Sequence, residues 1–554
     1  MKEIVVKLLA KTLGKKPDEI ENLIEIPPTD TIGDFAFPCF SLAKIEKKSP
    51  LLIAQKLAEK LRKELPKEIS NVDSKAGYVN FFIDKKILAK NILKKINENY
   101  GRAKQEKKYL IDYSAPNVAK HFGIHNLRST LIGHSIYNIL SFAGNKVFST
   151  NHLGDWGTQF GKLIVAYKKW GKESELKSVE YLNQLYVKFH EEVEKDKTLG
   201  EELESQARAE FKKLEDKDKK NLDLWKKFLE LSIEEFNRVY KILGITFDET
   251  IGESYYHDKT EETIKVLEER SLLEKSEGAR VVKLGENSPP CIIEKSDEAS
   301  TYAARDLTAI FHRLRKNPTK ILYVVDFRQS LHFEQIFTVA EKLDVPKDKL
   351  MHVKFGIMRF KDMEMSTRKG KVILFEDLLQ KAEEQILKII EEKNPELANK
   401  KETARKVALS AIIFADLQNN RTHDVIFDWK TALSFEGKTG PYILYTYARA
   451  SSVLKKAKKS KKTMKILDLK EQEVKLLKKL QEFPDKVEQS ATQFAPHIIA
   501  EYCYELSQTF NEFYHNCSVL GSQEEIFRLK LVESFAIVMK SALNLLGIET
   551  VEEM

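Results

Sequence analysis

Two segments of this 554-residue chain carry residue types that could handle phosphate. The first is DYSAPNVAKHFGIHNLRSTLIGHSI (112–136), where a short apolar strand runs through a proline-containing turn into a helix. Ser114, Asn117, Lys120, His121, Gly123 and His125 crowd that turn. Free N–H groups at a helix N-terminus attract anions. In open parallel sheets ligands sit beyond the carboxyl ends of the strands. The set therefore suits a triphosphate. The second segment is FKDMEMSTRKGKVI (360–373), in which Ser366, Thr367, Arg368, Lys369 and Gly370 form a basic loop between a strand and a helix. Cations on such a loop can close over phosphates and stabilise charge in a transition state. Either segment alone is what ordinary loops offer.

The elements that must position these loops alternate. YLIDYS (109–114) and KVFSTNHL (146–153) read as strands, with a helical run from about Asn126 to Phe142 between them. After GDWGTQFGKLIVAYKKW the pattern resumes with ILYVVD (321–326), a helix near Phe333–Lys342, and MHVKFG (351–356). Strand, helix, strand, helix with short connections predicts a parallel, doubly wound sheet. Residues 170–275 read as a heavily charged helical insertion, solvated and looped out of that sheet domain. Residues 1 to about 100 form a small α+β unit, with amphipathic stretches at Glu3–Leu13 and Leu51–Leu65 and an alternating strand YVNFFID (78–84). The polar, basic 94–108 reads as a linker, and helical patterns dominate after about 376. KKAKKSKKTMK (455–465) reads first as a solvated loop or helix end and second as a nucleic-acid contact.

Composition excludes several classes. Hydrophobic residues at 42% and charged ones at 32% describe a globular chain of two to four domains. The formal charge of +8 permits a polyanionic partner without identifying one. Four cysteines, at 39, 291, 503 and 517, include no C-x-x-C pair, so neither a disulfide framework nor a zinc site is expected and a reducing compartment is. Lys7 and Lys11 interrupt the N-terminal apolar stretch too early for a signal-peptide core, and no run of about 18 apolar residues occurs. A soluble cytoplasmic protein is expected, with no membrane partner.

The ordered blocks SAPNVAK…LRSTLIG (114–133), NHLGDWGTQFGKL (151–163), TYAARDL (301–307), DFRQSLHFEQIF (326–337), MSTRKG (365–370) and SFEGKTGPYILYTYARA (434–450) resemble those of the arginyl-tRNA synthetases, class I aminoacyl-tRNA synthetases. GDFAFPCFSLAK (33–44) is similar to the family's N-terminal tRNA-contacting domain, and LGIETVEEM (546–554) to its C-terminus. The resemblance covers nearly the whole chain. It implies a multidomain α/β protein: an N-terminal tRNA-contacting domain (1–105), a Rossmann-like catalytic domain (106–375) with a helical insertion at about 165–290, a connecting helical region (376–438), and an α-helical anticodon-binding bundle (439–554). The implied reaction uses ATP with Mg2+ to make arginyl-adenylate and transfers arginine to the terminal adenosine of tRNA(Arg). No tightly bound cofactor and a monomeric state are expected. A noncatalytic tRNA-binding paralogue and a stand-alone adenylate-forming enzyme are the other readings.

Guanidinium is a planar array of donors that does not deprotonate, so its site needs carboxylates and acceptors. The resemblance assigns Tyr302 and Asp306 to the guanidinium, and their spacing of four sets both on one helical face. Asp112 and Glu253 are candidate additional acceptors. By the same resemblance Asn117 and Gln329 are expected near the amino and carboxylate end of the substrate, and Ser114 among the residues that bind arginine.

The ATP signature departs from the family pattern. Gly123, Ile124, His125 and Asn126 stand where H-I-G-H is expected, and His121 stands at a proline position. Asn126 can donate a hydrogen bond but cannot carry positive charge. Replacement in place, and a local shift that hands both histidine roles to His121 and His125, are both open. Glu364 stands at the first lysine of K-M-S-K-S; Lys120 matches the lysine that compensates in such relatives, with Lys369 and Arg368 supplying the rest of the charge beside Met365 and Ser366. In the C-terminal half Tyr442, Tyr445 and Arg449 are tRNA-contact candidates, since aromatic rings stack on bases and arginine pairs with phosphate. Half or more of that helix's tyrosines should simply pack it against its bundle.

Overall fold

The computed structural model describes residues 1–29, 31–286, 288–296, 301–361, 374–457 and 464–554. It divides into two units. The first joins Met1–Tyr100 to Val453–Glu482 and Gln508–Val538. In it, strand Tyr78–Ile83 pairs antiparallel with Phe35–Pro38 on one side and Ile69–Lys75 on the other. Helices Lys2–Leu13, Pro50–Arg62 and Lys85–Lys95 complete the N-terminal part. The helix Glu471–Gln481 is tied to it by an ion pair, Lys478 Nζ to Asp34 Oδ1 at 2.7 Å. Deeper in the same unit Arg528 Nε donates to Glu473 Oε1 at 2.7 Å, both buried, and the Phe510 and Phe535 rings stack at 3.9 Å. Part of the C-terminal helical region, Val453–Glu482 and Gln508–Val538, thus falls in the same compact unit as Met1–Tyr100.

The second unit is Gly101–Ser452 with Phe483–Ser507 and Met539–Met554. Its frame is a five-stranded parallel sheet in the spatial order Leu350–His352, Lys320–Tyr323, Lys108–Asp112, Lys146–Leu153, Glu249–Gly252. The strand order reverses between Lys108–Asp112 and Lys320–Tyr323, a switch point whose carboxyl ends open a crevice. In register, Asp112 lies beside Tyr323 and Thr150, so polar side chains collect at one end of the sheet.

Two corrections concern the insertion. Glu249–Gly252 is the sheet's fifth strand, inside the range read as looped-out helix. Residues 273–294 contain a three-stranded antiparallel sheet, so the region to 290 is not all helical. Four residues with no periodic pattern and one apolar side chain are too short to read as a strand. The long helix Lys219–Leu243 is amphipathic rather than merely solvated: Ser232, Phe236 and Tyr240 on its buried face support the turn at residues 114–123.

The helix Tyr302–Leu314 begins at Thr301, whose hydroxyl accepts from Ala304 N at 3.3 Å. Ala304, Leu307 and Ile310 bury its inner stripe against Ile321, Phe333 and Ile336. Tyr302, Asp306 and Arg313, separated by four and seven residues, fall on another stripe, because eleven residues make about three turns.

Candidate active site

A cleft of about 390 Å³ opens at the switch point. Its walls include the carboxyl ends of four neighbouring strands or the residues just beyond them: Asp112, His152, Glu253 and Tyr323 with Asp326. The helix Tyr302–Leu314 adds Tyr302, Asp306 and Arg313, and the segment beyond strand Lys320–Tyr323 adds Gln329 and His332.

The charges in this cleft are paired with one exception. Arg313 Nη2 lies 2.7 Å from Asp112 Oδ2, both buried. Arg305 Nε donates to Glu253 Oε2 at 3.2 Å. Arg328 holds Asp326 through Nε at 3.1 Å to each carboxylate oxygen and Nη2 at 2.5 Å to one of them. Asp306, the fourth lining carboxylate, takes its close contact from a histidine, His332 Nε2 at 2.6 Å, and from no lysine or arginine among the described residues. Burial pushes the Asp306 carboxyl up, but the His332 hydrogen bond and the charges of His152, His332 and Arg313 outweigh it and hold it below the usual carboxylate range. Asp306 is thus the one lining carboxylate without a guanidinium partner among the described residues.

Glu253 is the opposite case. Burial, with Asp306 and Asp155 nearby, pushes its carboxyl up to about 8, and Arg305 offsets that only in part. Gly252 before it must be glycine, because a Cβ there would lie 2.0 Å from Asp155 Oδ2. Tyr302 covers the mouth, 46% exposed, its ring 4.8 Å from that of His332. Proximity to Asp306, then burial, raise its phenol well above the ordinary value.

The turn from strand Lys108–Asp112 to helix Ile124–Phe142 is held in an uncommon backbone. Ser114, Ala115 and Ala119 all have positive φ (76°, 47° and 62°), each costing about 1–3 kcal/mol unless neighbours fix it. The fixing is visible. Ser129 Oγ accepts from Ser114 N at 3.0 Å, Asn151 Oδ1 from Ala115 N at 3.1 Å, and Ser232 Oγ from Ala119 N at 2.9 Å. Ser114 Oγ is already bonded to Tyr240 Oη and Thr130 Oγ1, each at 2.8 Å, so its hydroxyl serves the scaffold. Asn117 is exposed in the cleft and pressed against Gly154, where a Cβ would come within 2.2 Å of its Oδ1.

His125 and Asn126 line the cleft; Lys120 and His121 do not. Asn126 Oδ1 accepts from Gly123 N at 3.3 Å as a helix cap, which leaves its amide donors for a ligand. His125 is reachable by solvent, yet burial and the charges of Lys120 and Arg328 lower its pKa, so without a phosphate beside it the ring is neutral. His121 is clamped by Glu180 at 2.6 Å and Glu235 at 3.2 Å, with Phe122 N also donating to Glu235. Lys120 is exposed, its Nζ 5.7 Å from the Tyr186 ring. Glu364, Met365, Ser366, Thr367, Arg368, Lys369 and Gly370 lie outside the described residues.

Residues 88–429 match the profile of the class I (R) tRNA synthetase catalytic domain, residues 1–83 that of the arginyl-tRNA synthetase N-terminal domain, and residues 443–554 that of the DALR anticodon-binding domain. The chain belongs to the arginyl-tRNA synthetases. It is 44% identical over 569 residues to the arginine–tRNA ligase of Clostridium perfringens, and 43% identical over 570 to that of Clostridium kluyveri, each alignment covering both chains in full. Arginyl-tRNA synthetase of Thermus thermophilus superimposes with a TM-score of 0.81 at 24% identity, both chains covered in full, which shows the fold. That of Plasmodium falciparum gives 0.77 at 26%, covering 100% of this chain and 98% of that one. The family's catalytic profile runs through residues 376–429, beyond the 375 boundary expected from the sequence.

Like the cleft, the synthetase's C-terminal helix Gly440–Lys456 divides its aromatic residues by environment. Tyr445 is exposed with the Arg449 guanidinium 5.0 Å from its ring centre. Tyr442 packs 6.0 Å from Tyr504, and Tyr447 is buried, its hydroxyl 3.4 Å from Glu552. Sequence reasoning missed Arg305, Arg313, Arg328, His152 and His332 as parts of the site. Apart from Arg313 they sit inside or beside the quoted blocks, and the one available signal was position: polar residues at or just beyond the carboxyl ends of parallel strands.

Proposed function

We propose that this synthetase ligates L-arginine to tRNA(Arg). The charge pairing of the cleft carries the reading: four lining carboxylates, three resident guanidiniums, and Asp306 left for the substrate's. Asp306 and Tyr302 take the guanidinium, with Glu253 as a further acceptor. Asp112 shapes the wall through Arg313 and meets the substrate only with its second oxygen, which is buried without a hydrogen-bond partner. Asn117 and Gln329 hold the α-amino and carboxylate end, and Ser114 holds the turn that presents Asn117.

ATP, entering as its magnesium complex, lies along Gly123, His125 and Asn126 at the helix N-terminus, with Lys120 adding charge; the resemblance assigns Met365, Ser366, Arg368 and Lys369 to the same substrate. An oxygen of the arginine carboxylate attacks the α-phosphorus, the bond to pyrophosphate breaks, and arginyl-adenylate forms. A ribose hydroxyl of the terminal adenosine then attacks the carbonyl carbon and AMP leaves. No enzyme nucleophile is required; alignment and charge stabilisation supply the rate. A neutral His125 gains a proton once a phosphate sits beside it, since a nearby anion favours the charged form.

The N-terminal domain and the exposed Tyr445, with the half-buried Arg449 beside its ring, contact tRNA, and the protein works as a cytoplasmic monomer. No described helix is long and apolar enough to cross a membrane. The altered signature at His125 and Asn126 favours one second reading, a tRNA-binding paralogue that no longer activates arginine. Arginine-dependent exchange of pyrophosphate into ATP, with and without tRNA(Arg), separates the two. Exchange is expected with tRNA present. No exchange under either condition refutes the ligase.

A further inference from the structure

His332 stands between the unpaired carboxylate and the mouth of the cleft. Its Nε2 is 2.6 Å from Asp306 Oδ2, its ring is 4.8 Å from Tyr302 on the mouth side and 5.5 Å from Phe333 on the core side, and its side chain is 17% exposed. It lies in the first turn of the helix Ser330–Lys342, three residues after Gln329, and is a lining residue in its own right. Asp306 is ionised, so the proton of the short contact belongs to the imidazole and Nε2–H donates. A carboxylate that accepts a fixed hydrogen bond at one oxygen loses rotation about its last bond and offers the other oxygen in one direction. Guanidinium recognition depends on such planar alignment.

We infer that His332 is a positioning residue for arginine recognition: it holds Asp306 Oδ2 so that Oδ1 meets the incoming guanidinium, and its ring keeps Tyr302 over the bound side chain. The inference rests on the arginine reading of the cleft and adds a specificity determinant to it. The groups around the pair fit this role. Tyr302 and Arg305 flank Asp306 on its own helix, Glu253 is engaged by Arg305, and His152 is engaged at Nδ1 by Arg313 at 2.9 Å, so none of them replaces the Nε2 donor.

The test compares His332→Leu, which keeps bulk against Tyr302 and Phe333 but removes the donor, with His332→Gln, whose amide reaches the same place as Nε2. Hydrogen bonds to charged groups contribute enough that losing one should raise the Kd and KM for arginine about 10- to 100-fold in His332→Leu. The kcat at saturating arginine and the KM for ATP should stay within about threefold, as expected when an interaction common to ground and transition states is removed. His332→Gln should recover most of the affinity. An unchanged arginine Kd in His332→Leu overturns the inference, as does a parallel loss of kcat, arginine binding and ATP binding in both variants. Failure of the arginine reading itself is a separate result, visible as no arginine binding by the unmodified protein.

Discussion

On the proposed reading, arginine binding should release a proton from Glu253. With its carboxyl pushed up to about 8, Glu253 is expected to be mostly protonated in the empty cleft at pH 7. The causes are burial first, then Asp306 and Asp155, against the partial relief of Arg305. Asp306, held below the usual carboxylate range, stays ionised here, and burial with Arg313 lowers the His152 pKa. A guanidinium entering beside Glu253 and Asp306 adds the positive charge that favours the ionised carboxylate, so the proton leaves. For a group of pKa about 8 that must ionise, the affinity is reduced by a factor of about 2 at pH 8, 11 at pH 7 and 100 at pH 6. Arginine should therefore bind about fivefold tighter at pH 8 than at pH 7, and about ninefold weaker at pH 6. Calorimetric titration at pH 7 in two buffers of different ionisation enthalpy should show close to one proton released per arginine. In Glu253→Gln the buffer dependence should vanish and the affinity should lose its slope with pH. Identical binding enthalpies in both buffers for the unmodified protein would refute the argument. Folding stability carries the same linkage with a definite sign: between the unfolded carboxyl near 4.5 and the folded one near 8 the folded state binds more protons, so Glu253 makes stability fall as pH rises through that window.

Asp306→Asn preserves shape and the contact to His332 but removes the charge, and the KM for arginine should rise by about two to three orders of magnitude, measured by exchange at saturating ATP; a rise under tenfold would take Asp306 out of the guanidinium site. Arg313→Met leaves Asp112 buried without its partner and should cost about 3–5 kcal/mol in chemical denaturation, while Asp112→Leu combined with Arg313→Met should recover most of that loss, whereas simple additivity would show that the pair is not coupled. Gly154→Ala drives a methyl into Asn117 Oδ1 and should lower kcat/KM for arginine about 100-fold with little change in melting temperature, because a displacement near 1 Å is enough to spoil alignment. Unchanged kinetics in that variant would mean that Asn117 is not held by this contact.

The sheet was legible in the sequence wherever periodicity was strong. KVFSTNHL forms a strand over the residues expected, 146–153, and the helix expected near Phe333–Lys342 runs from Ser330 to Lys342. Glu249–Gly252 was not legible, because a four-residue edge strand owes its existence to Thr150–Leu153 beside it rather than to its own pattern. The same reason governs the site. Asp112, Glu253 and Asp306 can each be named from residue type and family blocks, but which of them faces a substrate depends on which already has a partner. Those partners come from afar: Arg313 reaches Asp112, and Arg305 reaches Glu253, only because the strand order reverses at the crevice and brings the helix Tyr302–Leu314 across it. An acidic sequence motif therefore overstates the charge that a ligand meets. Among the described residues, setting aside the carboxylates that resident guanidiniums already hold leaves Asp306, and on the proposed reading that remainder, not the number of acids, is what an arginine would meet.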